Sequence, residues 1–201
     1  MISLKTVCYS LASLFFVFPL IGRDVILEFK GAYFLPTDCT FKKIYHKGGA
    51  LYGPELTVQL FNDKNWYAFA SVDYFQKKGH SIGLCEPTKV RLIPVALGLK
   101  YFVPVCDDRI DLYAGLGLEW VNVRTINCSQ SVVSKQSDWG LGGIAKVGAY
   151  YHLPHHFLID TFINYHYAKV GSNDCGCQNG FTSRKANVSG AIFGVGLGYS
   201  F

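Results

Sequence analysis

From Val25 onward, apolar and polar positions alternate in runs that turn over every 10 to 20 residues. Successive side chains of a strand point to opposite faces, so each run predicts one greasy and one polar face. The pattern predicts eight strands, at about 25–35, 52–61, 66–75, 90–103, 110–121, 139–151, 157–167 and 193–201. In the fifth, Ile110, Leu112, Ala114, Leu116, Leu118 and Trp120 alternate with Asp111, Tyr113, Gly115, Gly117 and Glu119. In the eighth, Phe193, Val195, Leu197, Tyr199 and Phe201 are separated only by glycine or serine. Such a final strand suits a sheet closed in lipid, where these five residues would also serve as the assembly signal.

Strands of about ten to fourteen residues fit a tilted membrane crossing better than the usual five or six of a globular sheet. The connections fall into two classes. Those near 62–65, 104–109 and 154–156 are short, whereas 37–51, 76–89, 122–138 and 168–187 are long. Short turns at one end and long loops at the other are the topology of an outer-membrane barrel. The expected fold is therefore all-β: an eight-stranded antiparallel up-and-down transmembrane β-barrel, with short periplasmic turns and long extracellular loops. The competing architecture is a soluble β-sandwich, in which the greasy faces would pack together.

In a barrel, the polar faces turn inward. Glu28, Lys30, Lys100, Glu119, Lys146, Asp160 and His166 are expected to form a polar plug, with Glu55, Asp73, Asp111 and Asn164 on the same faces. An eight-stranded interior has room only for side chains, so these charges are read as satisfying one another. A narrow pore for small solutes is the alternative. Catalysis is not expected: the chain has no phosphate loop, no G-x-S-x-G and no H-E-x-x-H. Cys175-x-Cys177 lacks metal-ligand spacing, and His152, His155 and His156 straddle a turn. No cofactor, metal or nucleic-acid partner is expected.

Composition adds an address. Residues 1–22 read as a cleaved signal peptide, with Lys5 preceding an apolar run from Val7 to Ile21, which leaves 23–201 as the barrel domain. The chain has 7 cysteines. Apart from Cys8 they are Cys39, Cys85, Cys106, Cys128, Cys175 and Cys177, an even set consistent with disulfides in an oxidising compartment. Cys175 and Cys177 are too close for a relaxed mutual bridge, and the connectivity stays open. Other envelope proteins are candidate disulfide-linked partners, with Cys106 on the periplasmic side.

The net charge is +5. The four long connections carry 11 lysines and arginines against 4 carboxylates, or +7, so positive charge gathers at the outer end. Lys42, Lys43, Lys47, Lys77, Lys78, Arg184 and Lys185 are the candidate polyanion-binding residues. Lipopolysaccharide phosphates and host glycans are the expected anions.

Three stretches carry a family resemblance: Tyr113-Ala-Gly-Leu-Gly-Leu-Glu119, Gly140-Leu-Gly-Gly-Ile-Ala-Lys-Val-Gly148 with Tyr151-His-Leu-Pro154, and Gly194-Val-Gly-Leu-Gly-Tyr-Ser-Phe201. The chain resembles the small outer-membrane β-barrels, the family of the OmpA membrane domain, OmpX and OmpW. The resemblance implies a bacterial outer-membrane location, contact with outer-membrane lipids, and delivery to the barrel assembly machinery through the last strand. It implies architecture, not activity. The lipid A deacylases, also eight-stranded barrels, carry a His-x-Ser pair on a late strand. Here the comparable residues are His166 and Ala168, so the nucleophilic hydroxyl is missing.

Overall fold

The computed structural model describes residues 24–37, 48–61, 64–80, 87–105, 109–128, 133–171 and 185–201. The strands are β1 (Val25–Pro36), β2 (Gly49–Phe61), β3 (Lys64–Val72), β4 (Tyr74–His80), β5 (Pro87–Val105), β6 (Ile110–Cys128), β7 (Val133–His152), β8 (Phe157–Gly171), β9 (Lys185–Asn187) and β10 (Gly190–Ser200). All pairings are antiparallel between neighbours, and β1 pairs with both β2 and β10, so the sheet closes on itself. β3 and β4 are two halves of one ring strand, each bonded to β2 and β5. Short β9 only extends the end of β8. The result is the eight-stranded up-and-down ring expected from the alternation.

The break between β3 and β4 falls at Asp73, and two prolines account for it. Pro54 on β2 and Pro94 on β5 flank this point and lack the N–H that a ladder needs; Asp73 N–H still donates to the Pro94 carbonyl at 3.0 Å. Gly53 is required beside the break, because a Cβ there would lie 2.0 Å from the Val72 carbonyl oxygen. The closing seam runs from Ile26↔Ser200 to Pro36↔Gly190, and Phe201 N–H adds a bond to the Val25 carbonyl at 2.9 Å.

The faces follow the alternation. Leu116, Leu118, Ile163, Val195 and Leu197 point outward and are exposed, Leu116 to 72%. Burying such a band in lipid removes the cost of leaving it in water. Rings border the band at both ends: Trp66 against Tyr101 at 5.1 Å and Phe157 against Tyr199 at 5.4 Å on the short-turn side, Tyr52 against Tyr74 at 5.6 Å on the other.

The strands run further than the sequence pattern predicts. The stretches 76–89 and 122–138 are expected as long loops, yet β4 continues to His80, β5 starts at Pro87, β6 reaches Cys128 and β7 starts at Val133. Beyond the lipid band the pattern inverts. Val90, Leu92 and Val121 are buried inside, while Gln76, Lys78 and Arg124 are exposed outside. A wall standing in water hides its apolar side, so a rule of apolar residues outward ends the strands too early. Lys77, Lys78, Lys89 and Arg124 are consequently strand residues, not loop residues.

Candidate functional site

The interior of the short-turn half is polar and densely paired. Register sets Glu28 on β1 directly opposite Glu55 on β2, and both are buried. Like charges opposite one another repel, and three lysines answer them, Lys30 from β1 itself, Lys100 from β5 and Lys146 from β7. Lys30 Nζ lies 3.2 Å from Glu28, 3.0 Å from Glu55 and 3.1 Å from Asp160. Lys100, fully buried, pairs with Glu55 and lies 3.6 Å from Glu28. Lys146 pairs with the other Glu55 oxygen. Glu55 therefore binds three cations, and Glu28, Glu55 and Asp160 balance Lys30, Lys100 and Lys146 one for one.

Aromatic rings and hydroxyls complete the cluster. Lys100 donates to the Tyr150 hydroxyl at 2.8 Å, and that hydroxyl donates to Glu28 at 2.8 Å. The Tyr113 hydroxyl donates to Asp160 at 3.0 Å. Each ammonium also faces a ring: Lys30 over Phe162 at 4.7 Å, Lys100 over Tyr113 at 4.5 Å, and Lys146 over Phe69 at 4.2 Å. Inward glycines make the room. A Cβ at Gly98 would lie 2.7 Å from the Phe69 ring and one at Gly117 2.9 Å from it.

Glu119 and His166 stand apart from this cluster. His166 Nδ1 is 2.6 Å from Glu119 Oε1, and both side chains are buried. They face a small cavity of ≈ 20 Å³ lined also by Phe34, Leu51, Val121 and Ile192, room for about one water. Asp111, expected inward, is only partly buried and meets His152 at 2.7 Å near the short turns.

All seven residues of the expected plug thus have buried side chains, but in two groups: five with Glu55 in one cluster, and Glu119 with His166 in another. Tyr150, Thr57 and Ser71 join the polar set beyond the sequence expectation, Thr57 accepting from Lys100 at 3.4 Å and Ser71 from Lys146 at 3.5 Å. Their inward parity was legible; their partners, on distant strands, were not. Phe193, Val195, Leu197 and Phe201 are exposed outward, and Tyr199 is half-buried against Phe157 and Phe201. Of the candidate polyanion-binding residues, Lys77 turns inward and donates to the Gly48 carbonyl at 2.7 Å, whereas Lys78 points outward. The two therefore form no single patch. Lys185 lies on β9, and Lys42, Lys43, Lys47 and Arg184 lie outside the described residues. Cys128 ends β6. Cys39, Cys85, Cys106, Cys175, Cys177 and the expected signal at 1–22 lie outside the described residues.

Residues 39–201 match the family described as outer membrane protein beta-barrel domain. No curated protein matches the chain. Among solved structures, the chain is similar to OprG of Pseudomonas aeruginosa, at 20% identity and a TM-score of 0.58, covering 89% of this chain and 96% of that one. It is similar to outer membrane protein W of E. coli, at 15% identity and a TM-score of 0.55, covering 89% and 98%. It is also similar to Ail, the attachment invasion locus protein of Yersinia pestis, solved with the heparin analogue sucrose octasulfate. That likeness has 14% identity and a TM-score of 0.52, and covers 89% and 99%.

Proposed function

The chain belongs to the outer membrane protein β-barrel domain family and resides in the bacterial outer membrane; on that premise we propose that it is a filled, non-conducting barrel with a structural and surface-interaction role. The observation that carries this reading is the ion-paired interior cluster, in which three buried lysines and three buried carboxylates are spent on one another. Charges matched in this way need no substrate to explain them. No catalytic role is assigned to them. The cavity beside His166 is far smaller than a solute path.

The surface role is contact with polyanions through the cationic outer end. Its candidates are Lys42, Lys43, Lys47, Lys78, Arg184 and Lys185, facing lipopolysaccharide phosphates or host glycans. Ail, which shares the fold, is known in complex with a sulfated sugar, and that supports this use of the architecture.

Two measurements test the proposal. In planar bilayers the refolded chain should give no single-channel steps; discrete conductance would replace this reading with a narrow-pore transporter. Binding to immobilised heparin should fall when Lys42, Lys43, Lys47, Arg184 and Lys185 are changed to Ala. Equal retention of both proteins would remove the polyanion role.

A further inference from the structure

Above the aromatic border on one side of the barrel, four cations face outward from three adjacent strands. Register places Lys78 on β4 opposite Lys89 on β5, and Arg91 on β5 opposite Arg124 on β6. These are two like-charge pairs, stacked one above the other on a single stretch of wall. Partners so placed have Cβ atoms about 5 Å apart, close enough to destabilise the sheet when both are charged. Relief from the protein itself is slight. No Asp or Glu occupies an outward position of any described strand. Arg91 lies over the Tyr74 ring at 5.7 Å, with a long contact to Gln76 at 3.5 Å, and its buried Nε has no hydrogen-bond partner. An anion seated between the pairs would remove the repulsion.

Position identifies the anion. Trp139 is outward and exposed, and its register partner across β6 is Asn122. Arg124 is two residues beyond Asn122, about 7 Å along the strand. The four cations therefore sit just outside the aromatic border, the level of lipid headgroups. They are on the outward face of the wall, at the headgroup edge of the lipid band, and not at a loop tip.

We propose that Lys78, Lys89, Arg91 and Arg124 form a binding site for the phosphate groups of a phosphorylated glycolipid of the outer leaflet. The site deepens the surface-contact role proposed above and rests on it. Here the barrel wall, and not the loops, is what a lipid phosphate meets, and arginine suits a tetrahedral phosphate through its forked donors.

The test uses the full mature chain in phosphatidylcholine nanodiscs, alone or with bisphosphorylated lipid A or its dephosphorylated counterpart. The readout is the thermal unfolding midpoint. Bisphosphorylated lipid A should raise the midpoint more than the dephosphorylated lipid does. The variant Lys78→Gln/Lys89→Gln/Arg91→Gln/Arg124→Gln should lose that difference while remaining at least as stable as the parent in phosphatidylcholine alone, because the repulsion is gone. If the quadruple variant does not fold, Lys78→Gln/Arg124→Gln, which changes only the two exposed members, should lose part of the difference. An equal response of the parent to both lipids, or a full response in the variants, overturns the site. Heparin binding measured on the same proteins separates the two proposals. Heparin bound without a lipid-phosphate response sinks the wall site alone, and loss of both sinks the surface-contact reading with it.

Discussion

Glu28 and Glu55 face each other across β1 and β2, both buried, and neither is the other's only charged neighbour: Lys30 and Lys100 each reach both carboxylates. Two adjacent strands that would repel are held by cations from the first strand and from across the barrel. Lys100 comes from β5 and Lys146 from β7, so the cluster ties together strands far apart in the ring.

Removing the hub should be costly. Glu55→Gln leaves Lys30, Lys100 and Lys146 short of their shared partner, and an uncompensated buried charge typically costs about 3–5 kcal/mol. Urea unfolding in detergent micelles should show a loss of that order. Glu55→Gln combined with Lys146→Met should lose less than the sum of the singles, since the two residues are in direct contact. Additive losses would mean that the pair is not coupled.

Gly148 is required by Tyr113. A Cβ at that position would lie 2.6 Å from the Tyr113 hydroxyl and 2.6 Å from the Thr161 carbonyl oxygen. Gly148→Ala should push Tyr113 off Asp160 and cost about 2 kcal/mol, as overpacking of a dense interior does. The unfolding midpoint measures this, and no change would show that the ring has room to move.

The turn from β7 to β8 should accept improvement. His155 and His156 both have positive φ, 65° and 64°, a backbone region that costs a side chain with a Cβ. His155→Asn/His156→Gly should stabilise the barrel by about 1 kcal/mol, read as slower loss of the folded gel band on heating. A destabilised variant would mean that the histidine rings contribute contacts worth more than the strain; His156 lies 6.1 Å from Tyr199.

The last residue should matter more to assembly than to the finished barrel. Phe201 adds one backbone bond to the seam and one ring contact to Tyr199 at 4.9 Å. Deleting it should leave the detergent-refolded chain heat-modifiable on gels but lower its level in the outer membrane of cells. Unchanged levels in cells would remove Phe193, Val195, Leu197, Tyr199 and Phe201 as an assembly signal.

The cysteines give a chemical prediction. Cys39, Cys85, Cys106, Cys128, Cys175 and Cys177 should resist alkylation in intact envelopes until reduced. Identical monomer bands on reducing and non-reducing gels would leave them as bridges within one chain, or as free thiols if all six are alkylated without reductant.

Local alternation was enough to read the strands that cross lipid, because there a single rule, apolar outward, holds at every position from Ile110 to Trp120 and, with Thr161 as the one polar outward residue, from Phe157 to Tyr167. It was enough to say that Glu28, Lys30, Lys100, Lys146 and Asp160 turn inward, since parity along a strand is a property of the backbone. It was not enough beyond the lipid edge. There solvent replaces lipid, Val90 and Val121 turn in, Arg91 and Arg124 turn out, and the same periodicity carries the opposite meaning. Nor could parity say which charge meets which. Glu55 became the hub because Lys30, Lys100 and Lys146 converge on it from β1, β5 and β7 once the ring closes. The placement of Lys78 opposite Lys89 and of Arg91 opposite Arg124 depended likewise on register between strands. Those relationships belong to the closed sheet, where residues distant in the chain share a few ångströms of wall.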